Sequence, residues 1–130
     1  MTQPTFPNPN EVYDYLDSLG TTADEVAATV IAAGIRDDTD AVGRSTQCPI
    51  AQLLRLRFTG YTFALSSAYA RLRSAGGRFL ADGPQYTLPQ PVAAFVYAID
   101  EDHARRRWDR TVPTRWPALY ADRPVTPDEH

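Results

Sequence analysis

The stretch Gln47-Cys48-Pro49-Ile50-Ala51-Gln52-Leu53-Leu54-Arg55-Leu56-Arg57-Phe58 constrains the fold more than any other part of the chain. Proline lacks a backbone N–H and clashes with the preceding helical turn, so Pro49 belongs at the first position of a helix. Beyond it, Ile50, Leu53, Leu54 and Phe58 share one face at helical spacing, while Gln52, Arg55 and the tip of Arg57 reach water. Burying those four side chains is worth roughly 6–12 kcal/mol before conformational entropy is subtracted, so the segment is a core element first.

The helices before it follow from caps and periodicity. Residues 10–19 read as a short amphipathic helix with Val12, Leu16 and Leu19 inward, and Gly20 is expected to end it in a left-handed conformation. Thr22 and Glu25 have capping-box spacing, which predicts a second helix through Val26, Ala27, Val30 and Ile31 to Gly34. Residues 36–47 read as loop. Asp38, Asp40 and Gly43 imitate the start of a calcium loop, but Pro49 stands where the closing carboxylate is required, so a solvated turn is expected.

Residues 61–88 admit two readings. Tyr61, Phe63, Leu65, Ser67, Tyr69 and Arg71 alternate as one face of a strand would, with a possible turn at Ser66-Ser67; Tyr61, Leu65, Tyr69 and Leu72 also fit a helix. Residues 78–80 and 85–88, split by Asp82-Gly83-Pro84, look like a hairpin. A lone hairpin is marginal in water, so a small antiparallel meander is the consistent choice. Tyr86 and Leu88 are expected on opposite faces of it. Pro89-Gln90-Pro91 then opens the last helix, where Val92, Phe95, Val96 and Ile99 form the most regular apolar stripe, with His103 next on that face. The sheet is the expected cover for this stripe.

The class is therefore α+β: two N-terminal helices, a third from Cys48-Pro49, a meander at about 61–88, and a C-terminal helix packed on it. Residues 1–9 are expected as a flexible lead-in, 10–110 as one domain, and 111–130 as a Pro-rich tail. Two tryptophans in that tail argue that Trp116 or Tyr120 packs on the body.

Two segments together resemble a group of small actinobacterial proteins. Cys48-Pro49-Ile50-Ala51-Gln52-Leu53-Leu54 is followed by Leu88-Pro89-Gln90-Pro91-Val92-Ala93-Ala94-Phe95-Val96 and then Ile99-Asp100. That group carries a Cys-Pro-(Ile/Leu)-Ala helix start, β-rich residues and a Leu-Pro-x-x-Val-x-x-Phe-Val helix. The resemblance covers roughly residues 22–100 and implies organisation, including a meander over 61–73, but no activity and no catalytic residues. The Pro-rich N-terminus and the Trp-containing tail depart from it.

Charge and composition narrow the function classes. All 13 basic residues are arginine, a usage typical of a GC-rich bacterial genome, and the net charge of −3 argues against a protein built to coat phosphate. The single cysteine forms no internal disulfide, and neither a signal-peptide layout nor a membrane-length apolar run is visible, so a cytoplasmic, non-membrane protein is expected.

No residue set assembles a catalytic or metal site, and no cofactor is implied. Cys48 at a helix start could be an activated thiol, with His103 as the one internal base. The simpler reading is structural, with Cys48→Ser costing ~1–2 kcal/mol. Asp100 and His103, one turn apart, lack a third metal ligand and suit a surface ion-pair network. Arg105, Arg106, Arg107, Trp108, Arg115 and Trp116 form a basic, aromatic C-terminal set that can dock on an acidic protein surface or grip nucleic acid. The leading expectation is a non-enzymatic interaction or regulatory protein. Its partner would be another protein or a second copy of itself, reached through the aromatics of 61–88 and the Arg/Trp tail. A nucleic-acid-associated accessory factor is the alternative, and a cysteine-dependent enzyme the third.

Overall fold

A computed structural model describes residues 6–35, 48–66, 68–73, 83–109, 111, 115, 116 and 119; of His103, Arg106 and Arg107 it describes the backbone. The order is α1 (Pro9–Asp17), α2 (Ala23–Ala32), α3 (Pro49–Arg57), β1 (Thr62–Leu65), β2 (Tyr69–Arg73), β3 (Gln85–Thr87) and α4 (Gln90–Trp108). The three strands form one antiparallel sheet in the order β1-β2-β3, so the chain is α+β with a meander at its centre. The calcium-like turn at 37–43 and the first arm of the expected hairpin, 78–80, lie outside the described residues.

Caps decide where the helices start. Thr22 Oγ1 accepts from the Glu25 N–H at 3.1 Å, as the capping box requires. The return bond falls one residue early, because Glu25 Oε1 accepts from both the N–H and the hydroxyl of Thr21, each at 2.9 Å. These bonds hold the Glu25 carboxyl below its usual range. At α3, Pro49 sits in the first turn and Cys48 is the N-cap, its Sγ accepting from the Ala51 N–H at 3.4 Å.

That bond changes the reading of Cys48. Its side chain is half-buried against the core and also caps a helix. Serine is a better N-cap than cysteine. Cys48→Ser is therefore expected to change stability by less than ~1 kcal/mol, whereas Cys48→Ala, which removes the acceptor, should cost ~1 kcal/mol. Chemical denaturation of the two variants side by side checks this order.

Gly20 corrects a second expectation. It has no positive φ; among the described glycines only Gly34 (+77°) and Gly60 (+93°) do. Gly20 is needed for space. A Cβ there would lie 2.7 Å from Glu25 Cβ and 2.8 Å from the Val26 backbone nitrogen. The turn between α1 and α2 closes only because that side chain is missing. Gly20→Ala should cost ~1–3 kcal/mol through forced displacement of the first turn of α2, read as a lowered denaturation midpoint. Gly34 has open space around it.

In the sheet, each odd-numbered residue of β1 opposes an even-numbered residue of β2, with Phe63 facing Leu72 and Leu65 facing Ala70. The inward face therefore switches from odd to even numbers at the turn, where the Ser66 N–H donates to the Tyr69 carbonyl. Tyr69 and Arg71 consequently point away from the face that holds Phe63 and Leu65. Ala70 also faces Tyr86 of β3, and so small a residue leaves room for the Tyr86 ring to reach Phe63, 5.6 Å between centroids. Tyr86 and Leu88 are both buried. Residues two apart on a strand share a face, so the expected division between them does not occur.

The core joins the sheet's inner face to all four helices. Pro49, Ile50, Leu53, Leu54, Phe58, Val92, Phe95, Val96 and Ile99 are all buried. α1 lies against β3 and α3 against β1, while the closest backbone approach of α4 is to α2, and it also touches α1. The α4 stripe shares one core with the inner face of the sheet, and the C-terminal segment adds to its cover. Trp116 packs on Phe95 with ring centroids 4.8 Å apart, and Leu119 is 1% exposed. Trp116 thus packs on the body, as the apolar content of the tail suggests.

The α4 stripe ends on a carboxylate. Asp102, three residues past Ile99, is 5% exposed, and its Oδ2 accepts from the Arg115 backbone N–H at 2.7 Å. The chain turns after α4 at Asp109, whose Oδ1 accepts from the N–H and hydroxyl of Thr111 at 3.0 and 2.6 Å. Among the described residues, no helix is long and apolar enough to cross a membrane.

Candidate functional site

A groove of about 540 Å³, open to solvent, lies where the segment before α1 runs beside the end of α3. Phe6 and Asn8 line one wall, Glu11 the first turn of α1, and Arg57, Phe58 and Tyr61 the other wall. Local structure explains why these residues meet. α3 ends at Arg57, and Gly60 at φ +93° turns the chain sharply, which brings Tyr61 back beside Phe58. Opposite, the Tyr86 hydroxyl donates to the Pro7 carbonyl at 2.8 Å and ties residues 6–8 to the sheet.

The groove has a stiff aromatic backing. Tyr15, Phe58, Phe63 and Tyr86 form a chain of ring contacts at 6.0, 6.2 and 5.6 Å. Phe58 shows one edge to the groove and buries the rest, at 9% exposure. The exposed Arg57 guanidinium lies 4.9 Å from the Phe58 ring centroid and 6.0 Å from that of Tyr15. A guanidinium over an aromatic ring keeps its N–H donors available to solvent. The site thus offers apolar ring surface, one fixed cation and one carboxylate, Glu11.

Burial also shifts the phenols behind the groove. The Tyr15 hydroxyl is raised by burial, an effect that the Arg57 charge partly offsets. Burial pushes the Tyr86 hydroxyl up to about 12, and neighbouring Tyr61 adds to the shift. A phenol raised in the folded state stabilises the fold fully below its ordinary value near 10 and less as pH rises toward the folded value. Stability should therefore fall between about pH 10 and 12. Tyr86→Phe should show a shallower fall there, after losing ~0.5–1.5 kcal/mol at neutral pH with the hydrogen bond to Pro7. Denaturant titrations of both proteins across that pH range compare the two slopes.

The residues singled out in the sequence fall in different places. Arg105 and Trp108 are exposed, Trp108 at 88%, and Arg115 is exposed with its guanidinium 5.0 Å from the Trp116 ring centroid. Trp116 is buried at 8%, so it belongs to the core and is withdrawn from any contact surface. The side chains of Arg106, Arg107 and His103 lie outside the described residues, and with His103 the Cys48–His103 pair. Of the described aromatics in 61–88, Phe63 and Tyr86 are buried and Tyr61 and Tyr69 half-buried; Phe79 lies outside the described residues. Among the described residues, no group of three or more His, Cys, Asp or Glu could hold a metal ion.

The groove itself was not foreseen. Its lining comes from two stretches far apart in the chain, 6–11 and 57–61. The available signals were an aromatic set between prolines at Phe6 and the Phe58-Thr59-Gly60-Tyr61 turn. Comparison with protein-family models, with curated proteins and with solved structures finds no match.

Proposed function

We propose that this chain is a non-enzymatic interaction protein whose groove beside α3 receives an extended segment of a protein partner. The observation that carries the reading is the Arg57 guanidinium over the Phe58 ring at an aromatic-lined recess, with half-buried Tyr61 in the same lining. Tyrosine and arginine dominate binding energy at protein interfaces, because they combine apolar area with directed hydrogen bonds. The ring chain behind them supports a preformed recess, which lowers the ordering cost of binding.

The test is a panel of extended decapeptides (proline-bearing, acidic and basic) titrated into the isotope-labelled full chain. Binding should move the amide resonances of Glu11 and of residues 57–61. Tyr61→Ala and Arg57→Glu should each weaken it at least fivefold, about 1 kcal/mol. The thermal melt of Arg57→Glu should stay close to that of the parent, since its side chain is exposed. A panel that leaves these resonances still, at millimolar peptide, overturns the reading.

A second reading has one observation in its favour. Trp108, 88% exposed and three residues from exposed Arg105, is a ring on which a base could stack. Burial of Trp116 removes the second such ring. A nucleic-acid accessory role would show as salt-dependent binding of single-stranded oligonucleotides that Trp108→Ala abolishes.

A further inference from the structure

α4 carries a second stripe that the core does not use. Its buried residues Val92, Phe95, Val96, Ile99 and Asp102 share one side of the helix. Gln90, Ala94, Tyr97, Glu101, Ala104 and Trp108 lie on the far side, and every one of them is exposed. Their steps along the chain alternate between four residues and three, the spacing that keeps one seam of a helix turned toward a second helix over successive heptads. Ala94, Tyr97, Ala104 and Trp108 make the seam mostly apolar. With 19 residues, α4 offers about 28 Å of it.

We propose that this seam pairs, antiparallel, with α4 of a second copy of the chain. The inference stands on residues outside the groove and does not depend on how the groove is read.

Glu101 decides both the occupant and the orientation. In a parallel pair each seam residue meets its own copy, so Glu101 would face Glu101 and Arg105 would lie beside Arg105. In an antiparallel pair with the two-fold axis level with Ile99, Tyr97 meets Glu101 of the second copy and Ala94 meets Ala104. Trp108 then covers Gln90 at each end. The facing alanines let the helix axes approach to the short end of the usual ~8–10 Å. Glu101 enters the seam already hydrogen-bonded, because the Tyr97 hydroxyl of its own chain donates to Oε1 at 2.9 Å. A single polar residue at a seam position fixes register and orientation at some cost in affinity. Arg105 comes to lie beside Pro91 of the second copy, at the uncharged start of α4, and helix ends of opposite dipole become neighbours. Asp100 approaches its copy at the rim, where salt screens the repulsion. A base stacked on Trp108 would need neither the heptad spacing nor the two alanines, so the seam favours a helix over nucleic acid. One helix pair is a small interface, at the weak end of specific association. The chain is therefore monomeric at micromolar concentration and pairs toward millimolar.

The experiment follows the mass of the full chain by sedimentation from micromolar to millimolar concentration, with acrylamide quenching on the same samples. Dimer should accumulate with concentration, and the quenchable emission of Trp108 should fall in step with it. Tyr97→Ala and Trp108→Ala, both at exposed positions, should each weaken pairing at least tenfold while the folded monomer persists. Orientation is read by cross-linking in a Cys48→Ser background. Under mild oxidation Ala94→Cys and Ala104→Cys should each stay uncrosslinked alone and form a disulfide dimer when mixed. A monomer at millimolar concentration overturns the inference. So does a dimer that both seam substitutions leave intact, since it uses another surface. Cross-linking of either cysteine variant by itself, with none in the mixture beyond that, gives a parallel pair and overturns the arrangement. Protection of Trp108 by a single-stranded oligonucleotide in a chain that stays monomeric assigns the stripe to nucleic acid instead. The groove reading has its own readout, the resonances of Glu11 and residues 57–61, so either idea can fail without the other.

Discussion

Phe95→Ala is expected to lower the stability of this protein by ~3–5 kcal/mol. That is a large part of the ~5–15 kcal/mol typical of a domain. Phe95 is fully buried at the centre of the α4 stripe, with Trp116 against its ring. Removing the ring strips contacts from α4 and from the returning C-terminal segment together, so the cavity cannot be filled by shifting one element. A thermal scan should show the melting temperature falling by roughly 10 °C or more. Tyr97, on the same helix and 54% exposed, is the control. Tyr97→Ala should stay within about 1 kcal/mol of the parent. Similar losses for both substitutions would mean that α4 contributes through helix propensity and not through the buried stripe.

Legibility in the sequence followed how local each cause is. Thr22 and Pro49 announce helix starts because capping and the missing proline N–H are properties of one turn, and both helices begin there. The stripes at Ile50–Phe58 and Val92–Ile99 gave the core for the same reason: helical spacing needs no knowledge of the partner. What covers a stripe is different. Over Val92–Ile99 the sheet's core is joined by α2 and Trp116, which helical spacing alone does not announce. Gly20 was legible as special but not for its true reason, since the clash with Glu25 exists only once α2 has folded back over it. The facing of Tyr69 depended on the parity of one turn.

The surface was least legible of all. Trp116 looked like a contact residue from its arginine neighbours, yet it is core, because Asp102 captures the Arg115 N–H and sets the indole onto Phe95. A run of arginines and tryptophans thus divides by burial into an exposed part at Arg105 and Trp108 and an anchoring part at Trp116. The groove drew on residues that no motif joins. Phe6 reached it only because Tyr86 holds the Pro7 carbonyl. Long-range hydrogen bonds of this kind leave no periodic trace in the chain.

Trp116→Ala should cost about as much as Phe95→Ala, ~3–5 kcal/mol, and the two losses should not add. Each ring is the other's neighbour at 4.8 Å, so once either is gone the second has lost its contact already. The double variant is expected to fall short of the sum by roughly 0.5–3 kcal/mol, the coupling of residues in direct contact. Tryptophan fluorescence gives a second readout, because the two indoles differ so widely in exposure, 8% at Trp116 against 88% at Trp108. In Trp108→Ala the remaining emission should be blue-shifted and protected from acrylamide; in Trp116→Ala it should be red-shifted and readily quenched. Asp102→Asn separates the anchor from the ring. It keeps the side-chain shape but weakens a charge-assisted bond to the Arg115 N–H, so emission from Trp116 should gain accessibility while Phe95 stays in place. Additive losses in the ring pair, or a Trp116 quenched as easily as Trp108, would detach the C-terminal segment from the core. The α4 stripe would then be covered without it.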